Sequence, residues 1–400
     1  MAKKSAAGSG SIRKRTLNKN GKQYTYWEAR YSAGYDPGTG KQIQRTITGK
    51  TQKEVSQKLK AATTAIDEGT YIAPSKLTVG EWLDVWAAEY LGGVKPATVC
   101  SYKAVIKNHL KPNLGALRLD SLASHTIQNF YNSFHTDVDE DDHDAVVFSP
   151  KTVKNIHGVL HMALKQAVRN NLIRVNPCDA CVLPKITKKV IQPMDEDLIA
   201  RFIDALEGHR FRALYLTTIF TGMRLGEVCG LQWECVDLSK RTLLIDKQLQ
   251  WRRDGSRSFR LAPTKNGKSR TIALPASIVS LLKDVKVTQL ENRLLYGSSY
   301  TDSGFVFTDE LGQHVRPQVV YRDFKVIVTQ IGSPTTRFHD LRHSYAVAAI
   351  KSGDDIKTVQ ENLGHHTAAF TLDQYGHVTE TMRRDSADRM QAFIKAIPNA

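Results

Sequence analysis

His339-Asp340-Leu341-Arg342-His343, Leu363-Gly364-His365 and Thr371-Leu372-Asp373-Gln374-Tyr375 follow one another near the C-terminal end of this 400-residue chain. Two further boxes precede them, Thr221-Gly222-Met223-Arg224-Leu225-Gly226-Glu227 and Pro263-Thr264-Lys265-Asn266-Gly267-Lys268-Ser269-Arg270. Any one of these runs occurs by chance, so the information lies in their order. The sequence around them, Met194 to Ala400, is long enough for a mixed domain. Apolar periodicity predicts helices over Glu196–Leu206, Phe211–Thr221 and Leu225–Leu231, and β-prone runs predict strands over Val236–Asp246 and Ser269–Leu274. Tyr345 falls in a helical apolar run with Ala346, Ala348 and Ala349 and reads as core. Tyr375 lies in a polar stretch from which it can reach a ligand.

Toward the N-terminus, Pro184 to Pro193 is lysine-containing and proline-bounded, the composition of a tether. Residues 76–185 show helical periodicity in Val79–Tyr90, Ala97–His109, Ser124–Phe134 and Pro150–Asn170, which predicts an all-α domain. Pro96 and Pro150 mark helix starts. Lys95, Lys103, Lys151 and Lys154 stand near them, where free amides and ammonium groups together suit phosphate contacts. The acids Asp137, Asp139, Glu140, Asp141, Asp142 and Asp144 lack the spacing and glycine of a calcium loop and read as a solvated loop. Cys178 and Cys181 form a CxxC pair at a helix exit with no second pair to match it, so neither a zinc site nor a redox motif is expected.

Residues 1–75 hold 14 Lys or Arg against 5 Asp or Glu, so a balance of +9 out of a formal +16 sits in under a fifth of the chain. Three β-prone runs, Ile12–Leu17, Tyr24–Ser32 and Gln42–Thr48, are separated by turn-forming residues, and Thr51 caps a helix expected to run to about Asp67. Arg13, Arg15, Tyr26, Arg30 and Arg45, with Tyr24, Trp27 and Tyr31 interleaved, read as a strand surface suited to a DNA groove. The whole chain, 41% hydrophobic and 24% charged, is globular in composition, which excludes disorder, a collagen-like repeat and a coiled-coil rod. Neither a signal-type apolar segment nor a run long enough for a membrane span is present, and the five cysteines, Cys100, Cys178, Cys181, Cys229 and Cys235, need no disulfide in a chain of this size. The expectation is a soluble, unsecreted protein of a reducing cytoplasm whose partner is a polyanion, with nucleic acid ahead of a membrane surface.

In their order and spacing the boxes resemble those of the tyrosine recombinases, and the basic sheet module ahead of them makes the chain resemble the integrases of temperate phages and conjugative transposons. The resemblance spans nearly the whole chain. It implies three domains: an α+β arm-binding module of a three-stranded sheet plus a helix (1–75), an all-α core-binding domain of SAM-like type (76–185) and a mixed, mainly α catalytic domain (186–400). Carried over residue by residue, it implies that Arg224, Lys265, His339, Arg342 and His365 surround a scissile phosphate that Tyr375 attacks. Glu227 and Asp340 would stand behind them and orient the arginine and histidine. The partners implied are double-stranded DNA at core and arm sites, three further copies of the chain in a tetramer on paired sites, an excision factor and a host DNA-bending protein. The implied location is the nucleoid of a bacterial host cell, with no cofactor and no metal. The apolar residues Met382, Met390, Phe393, Ile394 and Ile397 read either as a helix packed on its own domain or, as in related integrases, as a tail docked on a neighbouring subunit.

Elementary chemistry agrees with the assignment. A phosphodiester is anionic and its transition state gathers more charge on the non-bridging oxygens, which two permanently charged, forked guanidiniums such as Arg224 and Arg342 oppose. A phenol with a reference pKa of about 10 needs a base or a strongly cationic site to attack at neutral pH, and His339 can accept its proton. The departing 5′-oxygen needs an acid, for which Lys265 and Lys268 in one turn are both candidates. Reading His339-Asp340-Leu341-Arg342-His343 as the HDxxH variant of a zinc-peptidase helix leaves Asp340 short for a general base, sets Arg342 beside the metal and ignores the basic module. A DNA-binding regulator or architectural protein accounts for the charge and the sheet but not for the tyrosine box. The basic surface predicts that affinity for duplex DNA falls by about 10³-fold or more between about 50 and 200 mM salt in a fluorescence-anisotropy titration.

Overall fold

The structure, a computed structural model, describes residues 11–19, 22–35, 38–69, 71, 75–134, 148–187, 192–252, 256, 258–365, 367–369, 372, 379–395 and 397. The chain divides into two compact units, Met1–Thr187 and Lys188–Ala400.

The first unit opens with β1 (Ser11–Lys19), β2 (Lys22–Tyr35) and β3 (Gln42–Gly49), paired antiparallel in that order, followed by α1 (Gln52–Asp67). The Thr51 hydroxyl accepts the Glu54 N–H at 3.2 Å and so caps α1. Side chains alternate across the sheet. Ile12, Trp27, Ala29, Tyr31, Ala33 and Ile47 pack with Val55 and Leu59 of α1. The register places Arg13 opposite Glu28, Arg15 opposite Tyr26 and Leu17 opposite Tyr24 on the other face. The expected mixed aromatic and basic surface is therefore divided between two faces: Trp27 and Tyr31 belong to the core, and Arg45, opposite Tyr31, lies on the helix side.

The helical remainder of this unit comprises α2 (Val79–Glu89), α3 (Pro96–Val105), a π turn (Ile106–Leu110) running into α4 (Lys111–Leu114), α5 (Ser124–Asn132) and α6 (Pro150–Arg169). Its core is built from Trp82, Leu83, Trp86, Leu110, Phe130, Tyr131, Ile156 and Leu160. The predicted Ala97–His109 helix continues to Leu114 through the π turn. Pro112 has no N–H for the Asn108 carbonyl, and the Lys111 N–H bonds Ile106 instead. Cys178 is buried, and the Cys181 thiol points at the carbonyls of Pro177 and Ser124, 3.6 and 3.7 Å away. The acidic run Asp137 to Asp144 lies outside the described residues.

The second unit carries α7 (Glu196–Asp204), α8 (Arg212–Thr221), α9 (Leu225–Cys229), β4 (Val236–Asp237), β5 (Thr242–Ile245), β6 (Lys247–Trp251), β7 (Phe259–Pro263), β8 (Arg270–Ala273), α10 (Ala276–Tyr296), α11 (Pro317–Gln330), α12 (Phe338–Lys351), α13 (Ile356–Leu363) and α14 (Thr379–Lys395). The strands form a three-stranded sheet, β4-β5-β8, and a β6-β7 ribbon. The predicted Val236–Asp246 strand is broken by a turn, because the Asp237 carboxylate accepts the N–H groups of Ser239 and Lys240 at 3.0 and 2.8 Å and Arg241 takes φ 54°. Among the described residues no helix is long and apolar enough to cross a membrane.

Gly222 ends α8 in the left-handed region at φ 62°, and a Cβ there would lie 2.6 Å from Tyr345 Cδ1 and 2.7 Å from Leu363 Cδ2. Gly222→Ala should therefore destabilise the second unit by about 2–4 kcal/mol, read as a lowered urea midpoint.

Candidate active site

The site assembles around the C-terminal end of α13. The last carbonyls of any helix lack intrahelical partners, and α13 ends on Gly364 at φ 63°. Side chains from three other elements satisfy three successive carbonyls there. Arg270 Nε at the start of β8 donates to the Asn362 carbonyl at 2.7 Å. Arg342 on α12 donates through Nη2 to the Leu363 carbonyl and through Nη1 to the Gly222 carbonyl at 2.7 Å. Asn266, in the lysine turn, donates to the Gly364 carbonyl at 3.1 Å. The next residue is His365.

Arg224 stands at the start of α9, and its position is set by Glu227. That carboxylate accepts the Arg224 backbone N–H at 2.9 Å and Arg224 Nη1 at 2.7 Å, and it takes a forked pair from Arg270, Nη1 at 3.1 Å and Nη2 at 2.6 Å. Burial alone would push the Glu227 carboxyl up. The Arg270 hydrogen bonds and the charges of Arg270 and Arg224 outweigh burial and hold it at about 2. Glu227 thus contacts Arg224 through both its backbone and its side chain.

His339 and His365 both lie within electrostatic range of Arg224 and Arg342. His339 keeps an exposed edge, but crowding withdraws its ring from solvent, and the nearby His343, Arg342 and Arg224 add to the effect, lowering it to about 4. Withdrawal from solvent and the same two arginines lower His365 to about 3. Both shifts favour the neutral imidazole in the DNA-free site. Arg342 itself is 1% exposed.

Lys265 and Lys268 are exposed on the turn between β7 and β8, which Thr264 closes by donating to the Lys268 carbonyl at 2.8 Å. The turn joins strands of two different sheets rather than the arms of one hairpin. The Asp340 carboxylate is held by Arg337, at 2.7 Å from Nη2 and 2.8 Å from the backbone N–H, and its charge acts on His339 and His343 against the lowering by burial. Tyr345 accepts a 3.0 Å hydrogen bond from Asn362 and packs with the α12–α13 core, which disfavours it as a nucleophile. Tyr375 and His366 lie outside the described residues.

The zinc reading fares poorly. His339 and His343 meet edge to face at 4.9 Å, Asp340 is committed to Arg337, and no group of three or more His, Cys, Asp or Glu placed to hold a metal occurs among the described residues. In the first unit, Arg13 and Arg30 converge on the Glu28 carboxylate at 2.9 and 3.1 Å, with Arg15 at 3.7 Å, on the sheet face that Tyr26 shares. Arg45 stands apart from them. All four lysines are exposed: Lys95 at the N-cap of α3 and Lys103 in its last turn, Lys151 and Lys154 near the start of α6. Arg270 and Asn266 escaped the sequence reading because a buried brace and a surface side chain share the same letter.

Residues 192–382 match the phage integrase family and residues 78–135 its N-terminal SAM-like domain. The chain belongs to the phage integrase family of tyrosine recombinases, enzymes that cut and rejoin DNA. It is 30% identical over 392 residues to a XerC-like tyrosine recombinase of Caldanaerobacter subterraneus subsp. tengcongensis, covering 93% of this chain and 97% of the relative. It is 25% identical to the ICEBs1 integrase of Bacillus subtilis, over 91% of this chain and 96% of that one. Among solved structures, the Tn1549 transposon integrase in complex with transposon right end DNA shares the fold at TM-score 0.65 and 21% identity, covering 78% of this chain and 99% of that chain. A lambda integrase tetramer bound to a Holliday junction shares it at TM-score 0.54 and 19% identity, covering 88% and 93%.

The depressed histidines set a pH dependence. Above about 6.5 neither the folded nor the unfolded state protonates them; as pH falls toward 4 the unfolded chain takes up protons first and stability is lost. The stability Glu227 contributes is present above about 4.5, where the unfolded carboxyl is ionised too, and is lost as pH falls from there toward about 2. The urea midpoint of the DNA-free protein should therefore fall between about pH 6.5 and 4, and His339→Gln should flatten that fall.

Proposed function

We propose that this chain is a site-specific integrase that cuts and rejoins duplex DNA through a 3′-phosphotyrosyl intermediate, integrating and excising a mobile element. The observation that carries this reading is the convergence of Arg224, Arg342, His339 and His365, with the lysine turn tied to the peptide that leads into His365. Arg224 and Arg342 bind the non-bridging oxygens and stabilise the charge that grows there. Tyr375 Oη attacks phosphorus, giving its proton to neutral His339 as the new P–O bond forms. The bond to the 5′-oxygen breaks, and Lys265, with Lys268 as the alternative in the same turn, supplies the proton that makes it a 5′-hydroxyl. His365 donates a hydrogen bond to the phosphate. Attack by the 5′-hydroxyl of a second strand reverses the step and releases Tyr375. The phosphotyrosyl link conserves the bond energy, so rejoining needs no ATP.

In this reading residues 1–75 bind arm sites through the sheet face that carries Arg13, Arg15, Tyr26 and Arg30. Residues 76–185 grip the core site with Lys95, Lys103, Lys151 and Lys154, and residues 186–400 carry the chemistry. Four copies act on paired sites, with the tail bearing Met390, Phe393 and Ile394 docked on a neighbour. An excision factor and a host DNA-bending protein set direction at the bacterial nucleoid. Relatives that span the same length, the fold shared with DNA-bound integrases and the tetramer seen for lambda integrase support it.

The test is incubation of wild type and Tyr375→Phe, in EDTA, with a nicked suicide duplex carrying the element's attachment core, followed by denaturing gels. Wild type should become covalently linked to DNA and Tyr375→Phe should not. Binding without linkage by both proteins would contradict the reading.

A further inference from the structure

Arg270 sits one layer behind the groups assigned to the phosphate and touches both halves of the site. Its side chain is 8% exposed and all three guanidinium nitrogens are committed, two to the wholly buried Glu227 carboxylate and Nε to the Asn362 carbonyl at 2.7 Å. Its stem lies against Gly364, where a Cβ would come within 3.2 Å of Arg270 Cδ. Glu227 in turn holds Arg224 by both backbone and side chain. One planar cation thus joins the carboxylate that aims Arg224 to the peptide that ends at His365.

Resting on the reading of this site as a DNA-cleaving centre, we propose that Arg270 is a positioning residue for strand cleavage, keeping the Arg224 guanidinium turned toward the phosphate by satisfying Glu227. The physical reason is competition for Arg224. A buried carboxylate must have its lone pairs satisfied. With Arg270 supplying two donors, Glu227 needs only one from the Arg224 guanidinium, which leaves the outward donors of Arg224 for the phosphate. Without Arg270, Glu227 draws the Arg224 guanidinium inward. Lysine cannot replace the fork, since one ammonium cannot reach both carboxylate oxygens and the carbonyl in plane.

The experiment measures single-turnover cleavage of the nicked duplex at saturating protein for wild type, Arg270→Lys, Glu227→Gln and the double variant Glu227→Gln/Arg270→Met, alongside DNA affinity and thermal unfolding. Arg270→Lys should cleave about 10²-fold more slowly while its affinity for DNA stays within about threefold of wild type. The double variant should cleave no more slowly than Glu227→Gln alone, because a neutral amide no longer competes for Arg224. A merely structural role would instead give losses that multiply in the double variant and that follow the fraction of protein folded. That pattern, or wild-type cleavage by Arg270→Lys, would overturn the proposal. If Arg270→Lys does not fold, the double variant decides alone: cleavage slower than that of Glu227→Gln would overturn it. A wild type that forms no adduct would overturn the DNA-cleaving reading itself, a failure visible in the first lane and distinct from the other two.

Discussion

The carbonyl oxygens at the end of α13 are the constraint on which the rest of the catalytic unit depends. A helix that stops inside a protein must find donors for its last carbonyls. Here the donors come from the start of β8, from α12 and from the turn between β7 and β8. A structural requirement that any helix has is thereby turned into a device for collecting Arg342, the lysine turn and His365 around one point. Gly364 makes this possible, since its left-handed turn redirects the chain and its missing Cβ leaves room for the Arg270 stem.

Electrostatics follow from the same arrangement. Three arginines and several histidines crowd one region, and the protein resolves the repulsion in two ways. Glu227 neutralises part of the charge and is itself held ionised by Arg270 and Arg224. The histidines are lowered first by withdrawal from solvent and then by the neighbouring charges, His339 to about 4 and His365 to about 3. The positive charge of the DNA-free site thus comes from its arginines and the lysine turn. On the solvent side, the partly exposed Arg224 guanidinium is held in place by Glu227. The buried ion pairs cost desolvation that a stability argument alone would not favour, which fits their use in holding geometry.

Much of this was legible in the amino-acid sequence. The order of the boxes pointed to the family, and turn chemistry with period-two patterning located the N-terminal sheet and its helix. The candidate site residues Arg224, His339, Arg342 and His365 could be named because they stand at the positions that the family resemblance assigns to the phosphate. Other features were hidden for identifiable reasons. Alternation along β2 and the register with β3 decide that Trp27, Tyr31 and Arg45 face α1, and register is not visible in one strand. The π turn at Ile106 to Leu110 arises from Pro112, which periodicity alone reads as a helix end. Asp340 looked like a brace for a histidine, but Arg337, three residues before it, captures it. Arg270 looked like one more cation in a basic turn until its partners were seen, because burial and pairing are tertiary facts.

The measurement that tests this account most directly is a structure of the full chain trapped on its attachment core with vanadate between Tyr375 and a free 5′-hydroxyl. The account predicts vanadate oxygens within hydrogen-bond reach of Arg224, Arg342 and His365, Lys265 or Lys268 beside the 5′-oxygen, and the Arg270–Glu227 pair unbroken behind them. A vanadate held by other residues, or a phosphate contacted by Arg270 itself with Glu227 released, would contradict it.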